Sequence, residues 1–331
     1  MADSSKTTVT TPIKAASSKR AWFQSLIGLG IGTVFLWLAF RSTTWQQVQS
    51  ILSRLHSGWL AIAILTYGID LSLRVSRWRY LLTGIKLLSF KSVGSALLVG
   101  YAMNNVLPAR LGELVRANFT GSRYGLSRTA VLASIAVERV LDGLIVVACL
   151  VIGRLFIVDS AILNRLLIVG SALFSGVFCV LWFTSRSSLN WLLHRVPDAI
   201  KQKLQSFQKG LSTMRGGRLN RAIALSGLIW VFEGIALWAV LNAVGVYLSW
   251  QQMLSVVGAV SLSTLLPSPP GFVGTYQYAF ALIVGLMGYT AAQGIAAATA
   301  TQLFLLGSVT LIGLGLYAYT HIAAEEKTYD G

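Results

Sequence analysis

The sequence predicts an all-α polytopic membrane bundle, with six full spans and two broken or re-entrant hairpin regions. Three observations lead there. Of 331 residues, 55% are hydrophobic and only 11% charged, against about 25% charged in a soluble domain. Several apolar runs reach the roughly 20 residues that a helix needs to cross the hydrocarbon core. The Lys and Arg residues that make up the net charge of +16 gather in short segments between those runs. That is the positive-inside pattern of membrane proteins, and it argues against a nucleic-acid partner.

The elements follow in chain order. Residues 1–20, rich in Ser, Thr and Lys, read as a disordered cytoplasmic tail. Residues 21–320 form the transmembrane domain and 321–331 a short C-terminal tail. The run 21–40 is too long for a signal-peptide core and lacks a convincing cleavage site, so it reads as an uncleaved first span. The other full spans are expected at 59–82, 128–152, 163–184, 221–247 and 293–320. Lys6, Lys14, Lys19 and Arg20 place the N-terminus in the cytoplasm of a multi-pass cell-membrane (inner or plasma membrane) protein. The basic segment 185–221 belongs on the same side, and 153–162 on the other.

Regions 92–120 and 250–289 are apolar but broken by proline, with glycine close behind. The first contains Asn104-Asn105-Val106-Leu107-Pro108, with Gly112 four residues later; the second contains Ser263-Thr264-Leu265-Leu266-Pro267, with Gly271 four residues later. Each has a polar pair, an apolar pair and Pro-x-x-x-Gly. Topology brings one in from the cytoplasm and the other from outside, as an inverted repeat with helix breaks at the midplane would. Such breaks free backbone groups that survive in lipid only when buried or facing water. Freed amides and helix N-termini make an anion site, and Asn104, Asn105, Ser263, Thr264 and Ser268 would line it.

Charges inside spans are costly and mark function. The second span carries Asp70, Arg74 and Arg77 on one helical face, so Asp70 and Arg74 can pair, while Arg77 reads as a snorkelling residue at the cytoplasmic boundary. The span 128–152 carries Glu138, Arg139 and Asp142, and the first break adds Arg110, Glu113 and Arg116. Glu233 stands alone in an apolar stretch and needs a partner, with Arg74, Arg110 and Arg139 available, or a proton. In the three charged segments Arg74, Arg77, Arg110, Arg116 and Arg139 outnumber the carboxylates Asp70, Glu113, Glu138 and Asp142, which suits a phosphate-bearing lipid head group. The three charged segments are expected to lie against each other.

Cys149 and Cys179 both fall within apolar runs, so no disulfide framework is expected, and three histidines suggest no metal site. No P-loop, Gly-x-Ser-x-Gly or His-Glu-x-x-His motif occurs. No cofactor and no catalytic residue is expected.

The ordered set Arg77-Trp78-Arg79-Tyr80, then Asn105-x-Leu107-Pro108-x-Arg110-x-Gly112-Glu113-x-x-Arg116, then Glu138-Arg139-x-x-Asp142, then Pro267-x-Pro-Pro-Gly271-x-x-Gly274, resembles the flippase-like family that shares the transmembrane domain of lysylphosphatidylglycerol synthases. The resemblance runs from about residue 20 to 320. It implies translocation or handling of an anionic phospholipid or polyprenyl-phosphate-linked intermediate, without the cytosolic synthase domain. With Arg74 from the charged face of the second span, the lipid-binding candidates are Arg74, Asn105, Arg110, Glu113, Arg116, Glu138, Arg139, Asp142, Pro267, Gly271 and Gly274. Gln277 stands where the family pattern has glutamate. The alternatives are an intramembrane enzyme acting on a lipid phosphate, with its acid–base pair among Glu113, Glu138 and Asp142, or a non-catalytic partner of a separate glycosyltransferase or lipid synthase.

Overall fold

The computed structural model describes residues 18–107, 111–156, 161–186, 197–215, 217–265 and 269–329. All regular structure among them is helical. The long helices are α1 (Ser18–Phe40), α3 (Ser57–Leu82), α6 (Arg128–Gly153), α7 (Ala161–Arg186) and α9 (Arg218–Ala243). A last one is built from α12 (Ala291–Ala300), a π turn (Thr301–Leu306) and α13 (Gly307–Tyr329). Four helical segments are long and apolar enough to cross a membrane: Ser57–Leu82, Leu163–Arg186, Arg218–Ala243 and Ala291–Thr320. Helix α6 has 26 residues, enough for about 39 Å, but carries its charges in the middle.

The six expected full spans all appear as helices, with shifted ends. The fifth stops at Ala243 and not at 247, because Gly245 takes a positive φ of 78° that ends the helix. The last gains the π turn, a wider coil that often accompanies function. Two shorter helices went unforeseen. One is α2 (Trp45–Leu52), started by a capping box between Thr44 and Gln47; the other is α8 (Asp198–Gly210), which follows Pro197 in the basic segment and packs on α6.

Both broken regions are helical hairpins. The first joins α4 (Phe90–Val106) to α5 (Gly112–Tyr124); the second joins α10 (Trp250–Ser263) to α11 (Thr275–Gly285). Their arms have 17, 13, 14 and 11 residues. At 1.5 Å per residue the longest reaches only about 26 Å, short of the ~30 Å hydrocarbon core. Each arm is therefore shorter than a full span, and the described ends of α4 and α10 border a common cavity.

The chain therefore runs long helix, hairpin, long helix twice: α3 to α6, then α9 to α13. The packing repeats with it. Helices α3 and α9 lie against each other and run antiparallel, because His56 N–H donates to Ala243 O, Trp59 meets Trp238, and Arg77 meets Ser226. Helix α10 of the second unit packs on α6 of the first, and α4 of the first on α13 of the second. The starts of matching elements are alike as well. Leu88-Ser89-Phe90 opens α4 and Leu248-Ser249-Trp250 opens α10, each with its serine as N-cap accepting a backbone N–H. Gly125-Leu126-Ser127 precedes α6 and Gly288-Tyr289-Thr290 precedes α12, with the glycines at φ 64° and 85°. Antiparallel α3 and α9 and this reciprocal packing are what an inverted repeat would produce.

Small residues set how closely the units approach, as expected where lipid supplies no hydrophobic drive between helices. A Cβ added at Gly258 of α10 would lie 2.7 Å from Leu150 Cβ of α6, whereas one at Gly315 of α13 would meet nothing within 4 Å. Gly258→Val is expected to cost roughly 1–3 kcal/mol through overpacking, read as a lower melting temperature in detergent, while Gly315→Val melts near the wild type. Equal melting of the two variants would rule out the close α6–α10 contact.

Candidate functional site: a charged cluster beside a cavity at the hairpin tips

Four helices supply the cluster. On α3, Asp70, Arg74 and Arg77 share one face at i, i+4 and i+7, turned toward α6 and α9. On α6, Glu138 and Asp142 are one turn apart, with Arg139 beside them. Helix α5 adds Glu113 and Arg116, and α9 adds Ser226, Trp230 and Glu233.

The inner part of the cluster is dry. Arg77 is fully buried and grips Asp142 with both guanidinium nitrogens, at 2.5 and 3.0 Å; it also donates to Ser226 Oγ at 2.8 Å and lies 3.8 Å from Glu138. Arg116 is as buried. It holds Glu138 through two bonds of 3.1 and 3.0 Å and stacks 3.5 Å from the Trp78 ring centre. The Trp78 indole N–H in turn donates to Ser134 Oγ at 3.2 Å. Bidentate pairing of this kind engages the terminal guanidinium nitrogens in a buried setting, while Arg77 Nε and Arg116 Nε have no hydrogen-bond partner among the described residues.

The outer part faces space. Arg74 pairs with Asp70 at 2.6 Å and with Glu233 at 3.2 Å, and Asp142 lies 4.0 Å away. Arg139 donates to Glu138 at 2.7 Å. Its Nε also lies 3.2 Å from Glu113, close enough for an ion pair but not aligned as a hydrogen bond. The Arg139 and Glu113 side chains are 29% and 26% exposed, the highest values in the cluster.

These outer residues form one wall of a cavity of about 340 Å³. Both hairpin tips reach it: Tyr101, Asn104 and Asn105 from α4, and Ser261, Thr264 and Leu265 from the end of α10 and beyond. Tyr67, Phe174, Trp230, Phe272 and Tyr276 add aromatic rings to its lining. Among the described residues, the buried Tyr101 Oη and Asn104 Oδ1 have no hydrogen-bond partner, so both can serve a ligand. Asn105 Nδ2 donates to Thr310 Oγ1 at 2.9 Å, tying the first tip to α13.

The second tip is held by amides. Gly271 and Gly274 take φ of 68° and 91°, and Phe272, at φ 60°, is turned left-handed between them. A non-glycine residue there is strained. Gln302, in the π turn, donates to Gly271 O at 2.8 Å. Gln277 accepts from Gly274 N–H at 2.8 Å and donates to Gln302 Oε1 at 2.6 Å. Gln277, the departure from the family pattern, is thus part of a clamp on the loop beside the cavity.

Of the residues expected to contact lipid, Arg74, Asn105, Glu113 and Arg139 line the cavity. Arg116, Glu138 and Asp142 stand behind it, and Gly271 and Gly274 shape the loop that carries Phe272. Arg110 and Pro267 lie outside the described residues. One reading needs correction. Arg77 does not snorkel: α6 and α9 enclose it and Asp142 claims it. Among the described residues the cluster joins Arg74, Arg77, Arg116 and Arg139 to Asp70, Glu113, Glu138, Asp142 and Glu233. Glu233 takes Arg74 as its partner, one of the three that the sequence offered. Trp230 was missed, although it precedes Glu233 by one helical turn and shares its face.

The family model for the lysylphosphatidylglycerol synthase transmembrane region matches residues 25–313 of this chain. A "UPF0104 membrane protein" of Methanothermobacter thermautotrophicus is 21% identical over 310 residues, covering 86% of this chain and 92% of that protein. "Glycosyltransferase AglD" of Haloferax volcanii is 25% identical over 316 residues. That match takes in 81% of this chain and spans half of the relative's length.

Proposed function

The chain belongs to the family of the lysylphosphatidylglycerol synthase transmembrane region, and from that premise we propose that it takes the polar head group of a phosphate-bearing membrane lipid into the cavity at the hairpin tips and passes it between leaflets. The observation that carries this reading is the cavity's place: between two helical hairpins, lined by Arg74, Glu113, Arg139 and Glu233 together with aromatic rings. Inverted-repeat transporters bind substrate at such helix breaks and open by rocking one unit against the other.

The cluster suggests how a head group would be held. The Arg139–Glu113 pair is the most exposed and the least aligned, so it exchanges partners most readily. A phosphate oxygen would take Glu113's place on Arg139, and the freed carboxylate would face a cationic or hydroxyl group of the same head group. Tyr101 Oη and Asn104 Oδ1 add a hydroxyl and an acceptor. Arg77, Arg116, Glu138 and Asp142 lend rigidity from behind. On this reading the N-terminus and the basic segment 185–221 face the cytoplasm, beside anionic lipid. AglD is named a glycosyltransferase, which favours a second reading, in which this chain presents a lipid-linked substrate to a separate modifying enzyme.

Purified protein in liposomes with labelled lipids tests the proposal. Arg139→Ala and Glu113→Ala are each expected to slow translocation about tenfold or more, as loss of a charge-assisted contact should, with melting temperatures near the wild type. Unchanged lipid sidedness across phospholipids and polyprenyl phosphates would sink it.

A further inference from the structure

An apolar space of about 490 Å³ lies next to the polar cavity, between α6, α9 and α10. Its wall includes Cys149, Gly227, Gly234 and Val257, and its far end is closed by Trp238, whose indole N–H is fixed on Leu248 O at 3.3 Å. Val231 and Trp250, 56% and 68% exposed, stand at its open side toward lipid. Trp230 lines both spaces. Its indole N–H donates to Asp142 Oδ1 at 3.1 Å, and Arg74 lies 5.7 Å from its ring centre. One side chain therefore separates the charged cavity from the apolar groove, pinned at its polar edge by the cluster itself.

Two glycines leave the groove open. Side chains at Gly227 and Gly234, two turns apart on α9, would point into it. A Cβ at Gly227 meets nothing within 4 Å and one at Gly234 only Val257 Cγ2 at 3.5 Å. Close helix packing does not explain Gly227, since nothing packs on it.

We infer that this groove holds a hydrocarbon chain of the lipid whose head group occupies the cavity, and that Trp230 is the partition between the two. The inference rests on the head-group reading above. Lipid is as apolar as the groove, so burial alone does not retain a chain there. Retention comes from shape and dispersion contacts and from the head group anchored next door. Swinging Trp230 off Asp142 joins the two spaces and gives the head group a lateral way in. The shared chemistry is one long chain, either fatty acyl or isoprenoid.

Photolabelling tests this in nanodiscs containing the full chain. Two probes are a phospholipid and a polyprenyl phosphate, each with a mid-chain diazirine; a third phospholipid carries the diazirine at its head group. Mid-chain probes are expected to label peptides around Cys149, Gly227–Ile235 and Leu248–Val257 above the rest of the membrane-facing surface. The probe that does so names the chain type. Gly227→Leu fills the groove and should cut that labelling to about a third or less, because the chain's packing contacts are lost. Gly176→Leu, the same change at an open glycine on α7, should leave it unchanged. Trp230→Ala should raise head-group labelling around Tyr101 and Asn105. Even labelling around the bundle, insensitive to Gly227→Leu, overturns the groove assignment. A head-group probe that never marks the cavity, with groove labelling intact, overturns the head-group reading instead.

Discussion

Glu138→Gln is expected to lower the melting temperature more than any other single change in the charged cluster. Glu138 is fully buried and faces three guanidinium groups: Arg116 through two bonds, Arg139 at 2.7 Å and Arg77 at 3.8 Å. The glutamine keeps the shape and removes the charge. Arginine does not shed its proton in proteins, so the three cations remain with less anion between them. Breaking a buried pair by removing one partner costs about 3–5 kcal/mol, and here one carboxylate serves three. Arg116→Met, by contrast, leaves Glu138 two cations, and its apolar chain still covers Trp78. The double variant Glu138→Gln, Arg116→Met should regain part of the loss, since an apolar pair of similar volume is often neutral in place of a buried ion pair. Thermal unfolding in detergent, followed by size-exclusion recovery after heating, measures all three. A Glu138→Gln protein melting within about 2 °C of wild type, a shift worth roughly 1.4 kcal/mol for a chain this size and well short of the ~3–5 kcal/mol expected, would show that Glu138 does not hold the cluster together.

The spans were legible in the sequence because lipid demands uninterrupted apolar length, and 59–82 or 163–184 cannot be read otherwise. The hairpins were legible because proline and glycine break helices at Leu107-Pro108 and Leu266-Pro267. The positions of the buried charges were plain too, but not their partners. Arg77 meets Asp142 across 65 residues and Arg74 meets Glu233 across 159. Helical periodicity shows which residues share a face, and says nothing of what another helix brings to that face. Arg77 was misread for this reason. It sits near the end of α3, where a lone helix would let it reach water, but α6 and α9 cross there. The cavity's aromatic rings were hidden in the same way, since Tyr67, Phe174 and Tyr276 come from three helices. The Leu-Ser-aromatic and Gly-x-Ser/Thr starts of the two units were in the sequence throughout. They carry meaning only once the packing shows which helices correspond.

Arg74→Gln is expected to slow translocation about a hundredfold while costing less stability than Glu138→Gln, and the contrast separates the working part of the cluster from its support. Arg74 is the one cation that bridges Asp70 and Glu233, and it faces the cavity. Removing it leaves two carboxylates without that cation. Unlike an arginine, a carboxylate in such a position can take up a proton and become neutral, so the fold survives at reduced cost. The cavity loses one of the two arginines in its described lining and the charge that orients Glu233. Glu233→Gln is milder for stability, because Arg74 keeps Asp70 at 2.6 Å and approaches Asp142 at 4.0 Å. It should still slow translocation about tenfold if Glu233 orients Arg74 toward the head group. The two changes act on one contact and should not add: in the Arg74→Gln background, Glu233→Gln is expected to change the rate little. Translocation rates and melting temperatures of the four proteins in this cycle decide it. Additive effects on rate would mean that the 3.2 Å contact between Arg74 and Glu233 does no work in transport. Wild-type transport by Arg74→Gln would remove the cavity wall from the lipid's path altogether.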